Sequence, residues 1–404
     1  MDESIRPNIG IVGGGMVGLL AALAFEDAFS ASCAIHVFDV APLDLERPLS
    51  QPSFDDRSTA LSFDTLGYMS GLGLLEISRQ ACPIQSIHVS NKGRMGSAVL
   101  TAEQVNWPQL GGVIENRLLG EALAGRLKHS RVRVHAPREI KHINPKSCGV
   151  ELFDAQGEAM FLDCLIIADG GQSALAQRLG MLRESKSYAN SALIANVATA
   201  MHHGHCAYER FSEQGPMAML PLGSADGVNR CALVWTAPKN QIDELMALTD
   251  REFCRSLEAQ FGYRLGRIEQ VGTRSVYPLQ MMHRIEQVRA GIVVLGNAAH
   301  TLHPVAGQGF NLSVRDIRSL TDVLSQCVHN NDFSSAALSS YAQRRAVDQW
   351  RTVNASDLLP DLFQYTGVVG AVRNFALGLM DVIPAFKQRF TAIAAGAIGE
   401  GDYV

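Results

Sequence analysis

The 404-residue sequence contains no close pair of cysteines and no C-x-x-C motif, although it has eight cysteines in all. No signal-peptide pattern is present, and no group of His, Cys, Asp and Glu has the spacing of a metal site. His202, His203 and His205 lie in a glycine-bearing turn, where a structural role is favoured over a ligand role. These absences predict a cytoplasmic protein with reduced, buried thiols and without a bound metal.

Charged residues are also few, and basic residues do not outnumber acidic ones. Charged residues make up 19% of the chain and the formal net charge is −5, which argues against a nucleic-acid surface. No apolar run approaches the roughly 20 residues that a membrane-spanning helix needs. With 47% apolar residues over 404 positions, the chain is predicted to form two intertwined lobes rather than one core.

The first motif is a strand followed by a glycine-rich turn. Residues 8–12 are predicted to form a short strand, and Gly13-Gly14-Gly15-Met16-Val17-Gly18 follows directly. A helix is predicted over residues 19–29 and a second strand over residues 33–38, ending at Asp39. The order of strand, glycines, helix and acid is that of a dinucleotide-binding βαβ unit.

Each key residue of this unit has a physical role. Gly13 makes the turn, Gly15 admits a pyrophosphate to the helix N-terminus, and Gly18 lets the helix pack on the strand. Asp39 is placed to accept a hydrogen bond from an adenosine ribose. The sequence therefore predicts that a dinucleotide binds here.

A second glycine-rich stretch follows the short aliphatic run at residues 293–295. It reads Gly296-Asn297-Ala-Ala-His300-Thr-Leu-His303-Pro304-Val-Ala-Gly307-Gln308-Gly309-Phe310-Asn311, and a helical pattern begins after it. Alternate glycines let a ligand approach the backbone, and the helix directs its free N–H groups at that ligand. A flat cofactor that becomes anionic on reduction suits this site, and a flavin meets that description.

Three further segments complete a pattern that resembles a known family. They are Asp55-Asp-Arg57-Ser-Thr-Ala-Leu-Ser62, Val113-Ile-Glu-Asn116-Arg117-Leu-Leu119 and Ala168-Asp169-Gly-Gly-Gln-Ser173. Together with the stretch around residue 300, they resemble motifs of the flavin-dependent aromatic hydroxylases of the p-hydroxybenzoate hydroxylase group, the class A flavoprotein monooxygenases. The resemblance covers essentially the whole chain.

This resemblance implies an α/β fold with a Rossmann-like FAD-binding lobe (GR2-type), interleaved with an antiparallel-sheet substrate lobe and followed by C-terminal helices. In the proposed substrate lobe, strand-like segments follow one another without crossover helices, as antiparallel sheets allow. The expected boundaries are 1–76, 112–186 and 284–350 for the FAD-binding lobe, 77–111 and 187–283 for the substrate lobe, and 351–404 for the C-terminal helices.

The resemblance also implies which residues hold the FAD. Asn297 stands where most of the group has an Asp that bonds the ribityl chain, and an Asn can still donate and accept there. Either Asn116 or Arg117 is expected against the pyrophosphate or ribityl chain, with Arg117 favoured because a guanidinium pairs with phosphate in a fork. The expected FAD contacts are Gly13, Gly15, Met16, Val17, Gly18, Asp39, Arg57, Asn116, Arg117, Asp169, Asn297, Pro304, Gly307, Gln308, Gly309, Phe310 and Asn311.

The implied function is hydroxylation of a phenol. NAD(P)H or a reductase reduces the FAD, O₂ adds to give a flavin C4a-hydroperoxide, and one oxygen atom passes to the ring. The Asn297 form of the motif is most similar to hydroxylases of ubiquinone biosynthesis, which implies 2-polyprenyl-6-methoxyphenol, a polyprenylated phenol, as substrate. Another ring hydroxylase of that pathway, a hydroxylase of a small soluble phenol and a non-catalytic flavin-binding assembly protein are the alternatives.

The electron donor stays open between NAD(P)H and a reductase. The wider group associates an Arg, three residues beyond the Ser of the Asp169 motif, with the nicotinamide nucleotide. Ala176 occupies that position in this sequence, and Arg178 is the nearby candidate to replace it.

The sequence leaves the residues around the phenol less well defined. Packing within the lobe is the alternative for each of them, although methionine does offer flexible apolar surface to a prenylated ring. The candidates are His303 and Pro304 beside the expected flavin ring, and Tyr208, Arg210, Met219 and Pro221 on two strands of the substrate lobe.

The C-terminal part has two interpretations. A charged helix around Arg345 and Asp348 is followed by a mainly apolar stretch, residues 358–390. One interpretation is a helix pair packed on the body. The other is a contact for other ubiquinone-biosynthesis proteins or for the inner membrane, to which the protein would be peripheral.

Overall fold

The computed structural model describes residues 6–46, 49, 51, 53, 55, 57–93, 97–212, 214–302 and 307–364, with side chains through residue 357. The strands in the described residues are β1 Asn8–Val12, β2 Ala34–Phe38, β3 Ser58–Ser62, β4 Cys82–Ile84, β5 Ser86–Asn91, β6 Ser97–Thr101, β7 Gly111–Glu115, β8 Arg133–His135, β9 Ile140–Lys146, β10 Gly149–Asp154, β11 Ala159–Leu162, β12 Cys164–Ile167, β13 Arg183–Thr199, β14 Cys206–Phe211, β15 Met217–Ala225, β16 Val228–Pro238, β17 Ile268–Val271, β18 Ser275–Arg284, β19 Val288–Arg289, β20 Ile292–Val294 and β21 His300–Thr301. The helices are α1 Met16–Phe29, α2 Phe63–Gly71, α3 Leu75–Gln80, α4 Asn116–Leu127, α5 Ala174–Arg178, α6 Lys239–Ala247, α7 Asp250–Phe261, α8 Gln308–Asn330 and α9 Ser335–Gln364.

A six-stranded sheet in the order β19-β20-β12-β1-β2-β8 forms the first layer. Its core is parallel, since β1 runs parallel to β2 and β12, and β12 runs parallel to β20. These strands are mainly aliphatic because both faces of the sheet are covered. Helices α1 and α8 pack on one face, and the three-stranded sheet β11-β10-β9 packs on the other.

Helix α1 begins at Met16, three residues before the predicted start at residue 19. Gly15 is its N-cap, and Gly18 packs closely on the turn, since a Cβ atom there would lie 1.8 Å from the carbonyl oxygen of Gly13. The helix therefore starts within the glycine turn itself. This brings its first N–H groups directly to the carboxyl end of β1.

The second large sheet has nine strands, in the order β21-β18-β13-β16-β15-β14-β5-β6, with β17 paired to β13. Most neighbours are antiparallel, as predicted, but β14 and β5 run parallel. Helices α6 and α7 cover one face. Phe253, Leu257 and Phe261 of α7 are at most 1% exposed, because their four-residue spacing places them on the one face of the helix that packs on the sheet.

A small sheet of β3, β7 and β4 touches both lobes. β3 contacts α8, while β4 and β7 contact β15 of the large antiparallel sheet. Helix α4 begins at Asn116, because Val113 and Ile114 before it belong to β7 and are 1% exposed. Both are β-branched side chains that suit a buried strand.

These layers confirm the predicted fold class, a Rossmann-like lobe interleaved with an antiparallel-sheet lobe. The exact lobe boundaries stay a prediction. β13 runs without a break from Arg183 to Thr199 and so crosses the expected boundary at residue 187.

Helix α9 is the charged helix that the sequence predicts, but part of its charge is buried. Arg345 is 3% exposed and faces the protein interior. The apolar stretch at residues 358–390, with its predicted membrane or partner contact, lies outside the described side chains. Within the part of the chain that the structure describes, no helix is long and apolar enough to cross a membrane.

A buried ion network fixes the middle of α8. Asp316 is 0% exposed, and its carboxylate accepts hydrogen bonds from Arg345 Nε at 2.6 Å and from His300 Nε2 at 2.5 Å. Gln349 adds a third hydrogen bond at 3.1 Å. Burial alone would raise the pKa of Asp316, but the charges of His300 and Arg345 lower it to about 2. The network joins the loop before α8 to helix α9.

We expect Asp316→Asn to lower the free energy of unfolding by about 3–5 kcal/mol, because the buried Arg345 charge would lose its fully buried carboxylate partner and keep only Asp348, whose side chain is 33% exposed. Asp64→Asn is the control. Asp64 pairs with Arg318 on the exposed side of α8, with side chains 33% and 44% exposed, and losing that pair should cost less than about 1 kcal/mol. Urea denaturation measures the free energy of unfolding of both variants. Equal losses in the two would contradict the assignment of Asp316 to a buried ion network.

The same carboxylate predicts a pH dependence with a defined sign. The folded-state pKa of Asp316 lies below its ordinary value of 3.8, so the stabilisation is fully present above that pH and is lost as the pH falls towards about 2. The Asp316→Asn variant should lack this part of the acid dependence. An unchanged acid-unfolding curve would show that the carboxylate does not contribute it.

Candidate active site

The N-terminal turn has the geometry of a phosphate site. Gly13 adopts a φ of +113°, and a Cβ atom there would meet the carbonyl oxygen of Ala168 at 2.3 Å, so only glycine fits. Gly15 caps α1 without any side-chain hydrogen bond, and the first turn of α1 has no acidic residue. Its free N–H groups and positive dipole end are therefore available to an anion. Met16 and Val17, half-buried, form that first turn.

Asp39 lies at the end of β2, beside this turn. Its Oδ2 accepts a hydrogen bond from Gly14 N–H at 2.5 Å and its Oδ1 accepts one from Ala41 N–H at 2.7 Å. A carboxylate has about four lone-pair sites, so capacity is left for a ribose hydroxyl. The structure thus brings the predicted glycines and acid together.

The N-terminus of α8 is a second bare helix end. Gly307 caps it with a φ of +60°, no side chain caps it, and no acid lies in its first turn. A Cβ atom on Gly309 would meet no atom within 4 Å, so the backbone is open to a ligand on that side. Gln308 and Phe310, both half-buried, complete the first turn.

Asn311 holds this helix end in place. It is 2% exposed, and its Oδ1 accepts a hydrogen bond from Ser62 N–H at 2.9 Å. Its Nδ2 donates to the carbonyl oxygens of Ala60 and Gly307 at 2.9 and 3.0 Å. The amide is therefore committed to the backbone. The geometry assigns Asn311 to positioning the helix on β3 rather than to direct contact with the cofactor.

Arg57 lies where the two lobes meet. Its Nε donates to Asp55 at 2.6 Å, and its guanidinium stacks on the ring of Tyr277 at 4.8 Å. The Tyr277 hydroxyl lies 3.5 Å from the Asp55 carboxylate. Tyr277, on β18 of the substrate sheet, was not selected from the sequence. A Tyr-Pro-Leu strand gives no local sign that its ring will meet an Arg more than 200 residues away.

The preference for Arg117 over Asn116 is not supported. Arg117 pairs with Glu121 on the surface at 2.7 Å, with its side chain 47% exposed. Asn116 is 3% exposed, and its amide accepts from Thr59 at 2.6 Å and donates to Asp55 at 3.4 Å. Asn116 therefore belongs to the same polar group as Arg57, and the geometry favours it as the residue near the cofactor.

Asp169 and Asn297 end two neighbouring parallel strands. Burial raises the pKa of Asp169, and its Oδ1 is buried with no hydrogen-bond partner among the described residues. A Cβ atom on Gly171 would lie 2.8 Å from Thr301 Oγ1 and 3.7 Å from the carbonyl oxygen of Asn297, so the two loops are in close contact. Asn297 itself is exposed beside them.

Neither Ala176 nor Arg178 is placed to bind a nicotinamide nucleotide. Ala176 is 0% exposed in the core, so a long cation would not fit there. Arg178 donates to the carbonyl oxygen of Lys141, which leaves it engaged in a local contact. His303, Pro304 and the adjoining residues lie outside the described residues.

The observed residues fit an FAD. Two uncapped helix ends converge on the carboxyl edge of one parallel sheet, as a dinucleotide with an anionic pyrophosphate requires. The buried Oδ1 of Asp169, without a partner in the described residues, is an acceptor that a cofactor hydroxyl would satisfy. The open space at Gly309 provides room against the second helix end.

The candidate substrate residues lie on the covered face of the antiparallel sheet. Tyr208 packs edge-on against Phe261 of α7, with ring centroids 5.6 Å apart. Met219 is 0% exposed in the same cluster. Arg210 shares the face of Tyr208 by strand alternation, and Pro221 pairs with Cys231 of that cluster. The substrate assignment for Tyr208, Arg210, Met219 and Pro221 is therefore not supported.

The opposite face of this sheet is directed towards the flavin lobe. Leu222, Ala232 and Ala207 pack there against β4, β7 and Ala60 of β3. Ala60 also lies 3.0 Å from the position of a Cβ on Gly307. Strand alternation adds further half-buried residues to this face, which we call the apolar face: Ile194, Ala218, Leu220 and Val234.

A Rossmann-type sheet with two bare helix ends, facing a half-covered antiparallel sheet, is the architecture of FAD-dependent aromatic hydroxylases. A family model described as an FAD binding domain matches residues 7–356. The chain therefore belongs to the FAD binding domain family. It is an FAD-dependent aromatic hydroxylase, and FAD is its cofactor.

Relatives extend over nearly the whole chain. The 3-demethoxyubiquinol 3-hydroxylase of Escherichia coli K12 is 30% identical over 357 residues, covering 87% of this chain and 88% of that protein. The ubiquinone hydroxylase UbiL of Rhodospirillum rubrum is 28% identical, covering 97% and 90%. The structure of p-nitrophenol 4-monooxygenase PnpA from Pseudomonas putida DLL-E4 has the same fold, with a TM-score of 0.79, 16% identity and 99% of both chains covered.

We expect Gly309→Val to release the flavin while the fold persists, because the new side chain meets no described protein atom but enters the space assigned to the cofactor. The same change at Gly307 would also strain a backbone at φ +60°, so Gly309 is the cleaner site. Bound FAD per chain, read from absorbance after gel filtration, should fall by at least about tenfold, equivalent to about 1.4 kcal/mol.

Gly125→Val is the matched control. Gly125 is also a helical glycine with no atom near its Cβ position, but it lies on the exposed side of α4. This variant should keep its full flavin content. Normal FAD content in both variants would show that the flavin does not lie against α8.

Proposed function

We propose that this hydroxylase acts on a polyprenylated phenol of ubiquinone biosynthesis, with 2-polyprenyl-6-methoxyphenol as its substrate. The relatives support the pathway, since one is named a 3-demethoxyubiquinol 3-hydroxylase and another a ubiquinone hydroxylase. The Asn297 form of the flavin motif supports the choice of ring position.

The apolar face is the observation that carries the proposal. Ile194, Val234 and Ala218 lie side by side on β13, β16 and β15 and are only half-buried, whereas the opposite face is sealed by α6 and α7. A half-covered sheet face lined by aliphatic side chains favours an apolar ligand, because burying that surface is worth about 25 cal/mol per Å². A prenylated ring meets this requirement better than a small polar phenol.

The chain contributes position, charge and exclusion of water, while the bound FAD activates O₂ and supplies the oxygen atom. The first-turn N–H groups of α8 would stabilise negative charge on the reduced cofactor. Asn297 and Asp169 would hydrogen-bond its polar groups. The buried cluster around Ala60, Val113 and Leu222 would keep water from the reacting ring, since water diverts the oxygen to peroxide.

Arg57 and Tyr277 contribute a polar element at the edge of this apolar face. The stacked pair lies between β3 and β18, with Asp55 beside both. The charge of Arg57 is paired with that of Asp55, so the group offers a polar contact for the phenol oxygen without a net positive charge. We infer that this pair orients the phenol end of the substrate while the prenyl tail extends over the aliphatic residues.

Hydroxylation at a different ring position of the same pathway is the second candidate. The relative with 30% identity carries the name of a 3-demethoxyubiquinol 3-hydroxylase, so that reaction has direct support. The two candidates share the cofactor site and the apolar face, and they differ in the substituents of the substrate ring and in the ring carbon that faces the flavin.

Removing the protein from cells and measuring quinone intermediates by mass spectrometry tests the proposal. We expect 2-polyprenyl-6-methoxyphenol to accumulate, because its hydroxylation would stop. Re-expression of the unchanged protein should restore the quinone, and re-expression of Gly309→Val should not. Accumulated 3-demethoxyubiquinol would favour the second candidate, and unchanged quinones with FAD still bound would favour a soluble phenol.

We expect Val234→Phe to lower hydroxylation of a prenylated phenol by at least about tenfold, about 1.4 kcal/mol in transition-state stabilisation, because the larger ring fills the apolar face. Val228→Phe is the control, since Val228 lies on the same strand but is 40% exposed at its end. Bound FAD should be unchanged in both variants. If Val234→Phe and the unchanged protein form product equally well, the substrate does not bind on the apolar face.

A further inference from the structure

A thiol and two imidazoles meet at one edge of the small sheet, away from the flavin site. Cys82 begins β4, while His203 and His205 lie in the turn between β13 and β14. One ligand atom from each of the three residues lies within 4.8 Å of the others. The sequence shows the histidines close together but does not show that Cys82 joins them, because the cysteine is more than 120 residues away.

The distance between the thiol and the His205 ring is close to that in a metal site. Cys82 Sγ lies 3.8 Å from His205 Nδ1. In a tetrahedral zinc site with Zn–S of about 2.3 Å and Zn–N of about 2.0 Å, the sulfur and nitrogen atoms stand on the order of 3.5 Å apart. A shift of a few tenths of an ångström would therefore be enough for this pair.

The orientation of His203 is already fixed. Its ring is 2% exposed, and Nε2 lies 3.0 Å from the carbonyl oxygen of Leu222, which assigns the proton to Nε2. Nδ1 then carries the lone pair and accepts a hydrogen bond from His205 N–H at 3.0 Å. A ring hydrogen bond to a backbone carbonyl is how metal-binding histidines are usually held. Binding an ion through Nδ1 would replace one backbone hydrogen bond.

The backbone of His205 adds an independent observation. Its φ of +57° lies in the left-handed region that most side chains avoid. Its carbonyl oxygen accepts hydrogen bonds from Gln85 and Ser86 N–H, at 2.9 and 3.4 Å, just after β4. The turn is thereby held against the strand that carries Cys82, and the strained residue is the one whose ring faces the thiol.

We propose that Cys82, His203 and His205 form a binding site for Zn²⁺. One thiolate and two imidazoles are borderline-soft donors that suit Zn²⁺, whereas Mg²⁺ and Ca²⁺ require oxygen ligands. The fourth tetrahedral position belongs to water, since His205 is only half-buried and the neighbouring His202 is exposed, with its Nδ1 accepting from Gly204 N–H at 2.9 Å.

The ion would act as a clamp between two sheets. β4 belongs to the small sheet, whose β7 leads directly into Asn116 and α4, while the turn belongs to the large antiparallel sheet. An ion that binds only the folded arrangement stabilises it by mass action. The ion would thus hold the large antiparallel sheet against the small sheet. The β7 strand of the small sheet ends just before Asn116, which belongs to the polar group around Arg57.

The alternative is a metal-free hydrogen-bonded cluster. Burial raises the pKa of the Cys82 thiol to about 11, so without an ion it is a neutral donor towards His205. Such a cluster would need no metal and would tolerate loss of the thiol. This alternative predicts that Cys82→Ser changes neither metal content nor metal affinity.

The test uses the full-length FAD-loaded protein with Zn²⁺ alone as the probe, by competition with a chromophoric chelator and by metal analysis after gel filtration. We expect one Zn²⁺ per chain, with affinity reduced in Cys82→Ser and His205→Gln by more than the roughly 10–100-fold that loss of an outer hydrogen-bond partner costs. Cys148→Ser and His129→Gln are the controls, since both residues are exposed and lie elsewhere.

Substitution with Co²⁺ identifies the ligands directly. Tetrahedral Co²⁺ with a thiolate ligand should show ligand-field bands at red wavelengths, beyond the flavin absorption, and Cys82→Ser should weaken and shift them. Zn²⁺ should also raise the Tm of the unchanged protein but not that of Cys82→Ser. Zn²⁺ binding that is absent, or that is equal in Cys82→Ser and Cys148→Ser, would overturn the proposal.

Discussion

Helix α8 must keep its first turn bare and yet be held rigidly, and this constraint organises the site. Free N–H groups at a helix end serve a cofactor only if the helix cannot shift. Asn311 uses its amide on the backbone of β3 and on the carbonyl oxygen of Gly307, and not as a side-chain cap for the first-turn N–H groups. Five residues later, Asp316 ties the same helix to His300 of the preceding loop and to Arg345 of α9. The bare end is therefore fixed from both sides.

The sequence predicted the parts of the site that depend on local backbone geometry. Gly13, Gly18 and Gly307 are required by turns and close approaches within a few residues, and these leave a clear pattern. The roles of Arg345 and Tyr277 depend on partners far along the chain, and no local pattern carries that information. The sequence pattern places Arg345 only in a charged helix, whereas in the structure a buried carboxylate holds it in the core.

The two faces of the antiparallel sheet show another limit of local reasoning. Alternation along a strand predicts that Tyr208 and Arg210 share one face, and that Ala218 and Leu220 share the other. It does not say which face receives the helices. That choice is made by α6 and α7, whose apolar residues cover Trp235 and Met219. The aromatic and sulfur-containing residues were attractive as substrate contacts, but such large apolar side chains are also what a sheet–helix core requires.

The small sheet contacts both the N-terminus of α8, where the cofactor is expected, and the apolar face proposed for the substrate. β3 carries Ala60, which touches the α8 end and the apolar face, and β7 ends where Asn116 begins α4. Displacing this sheet would move the cofactor contacts and the substrate surface together, so their separation is set by one rigid piece. A transferring oxygen atom tolerates little error in that separation, because a misplacement of about 1 Å can cost on the order of 100-fold in rate. An ion at Cys82 would act on the β4 edge of this piece, where its effect on rate would come through geometry and not through chemistry at the flavin.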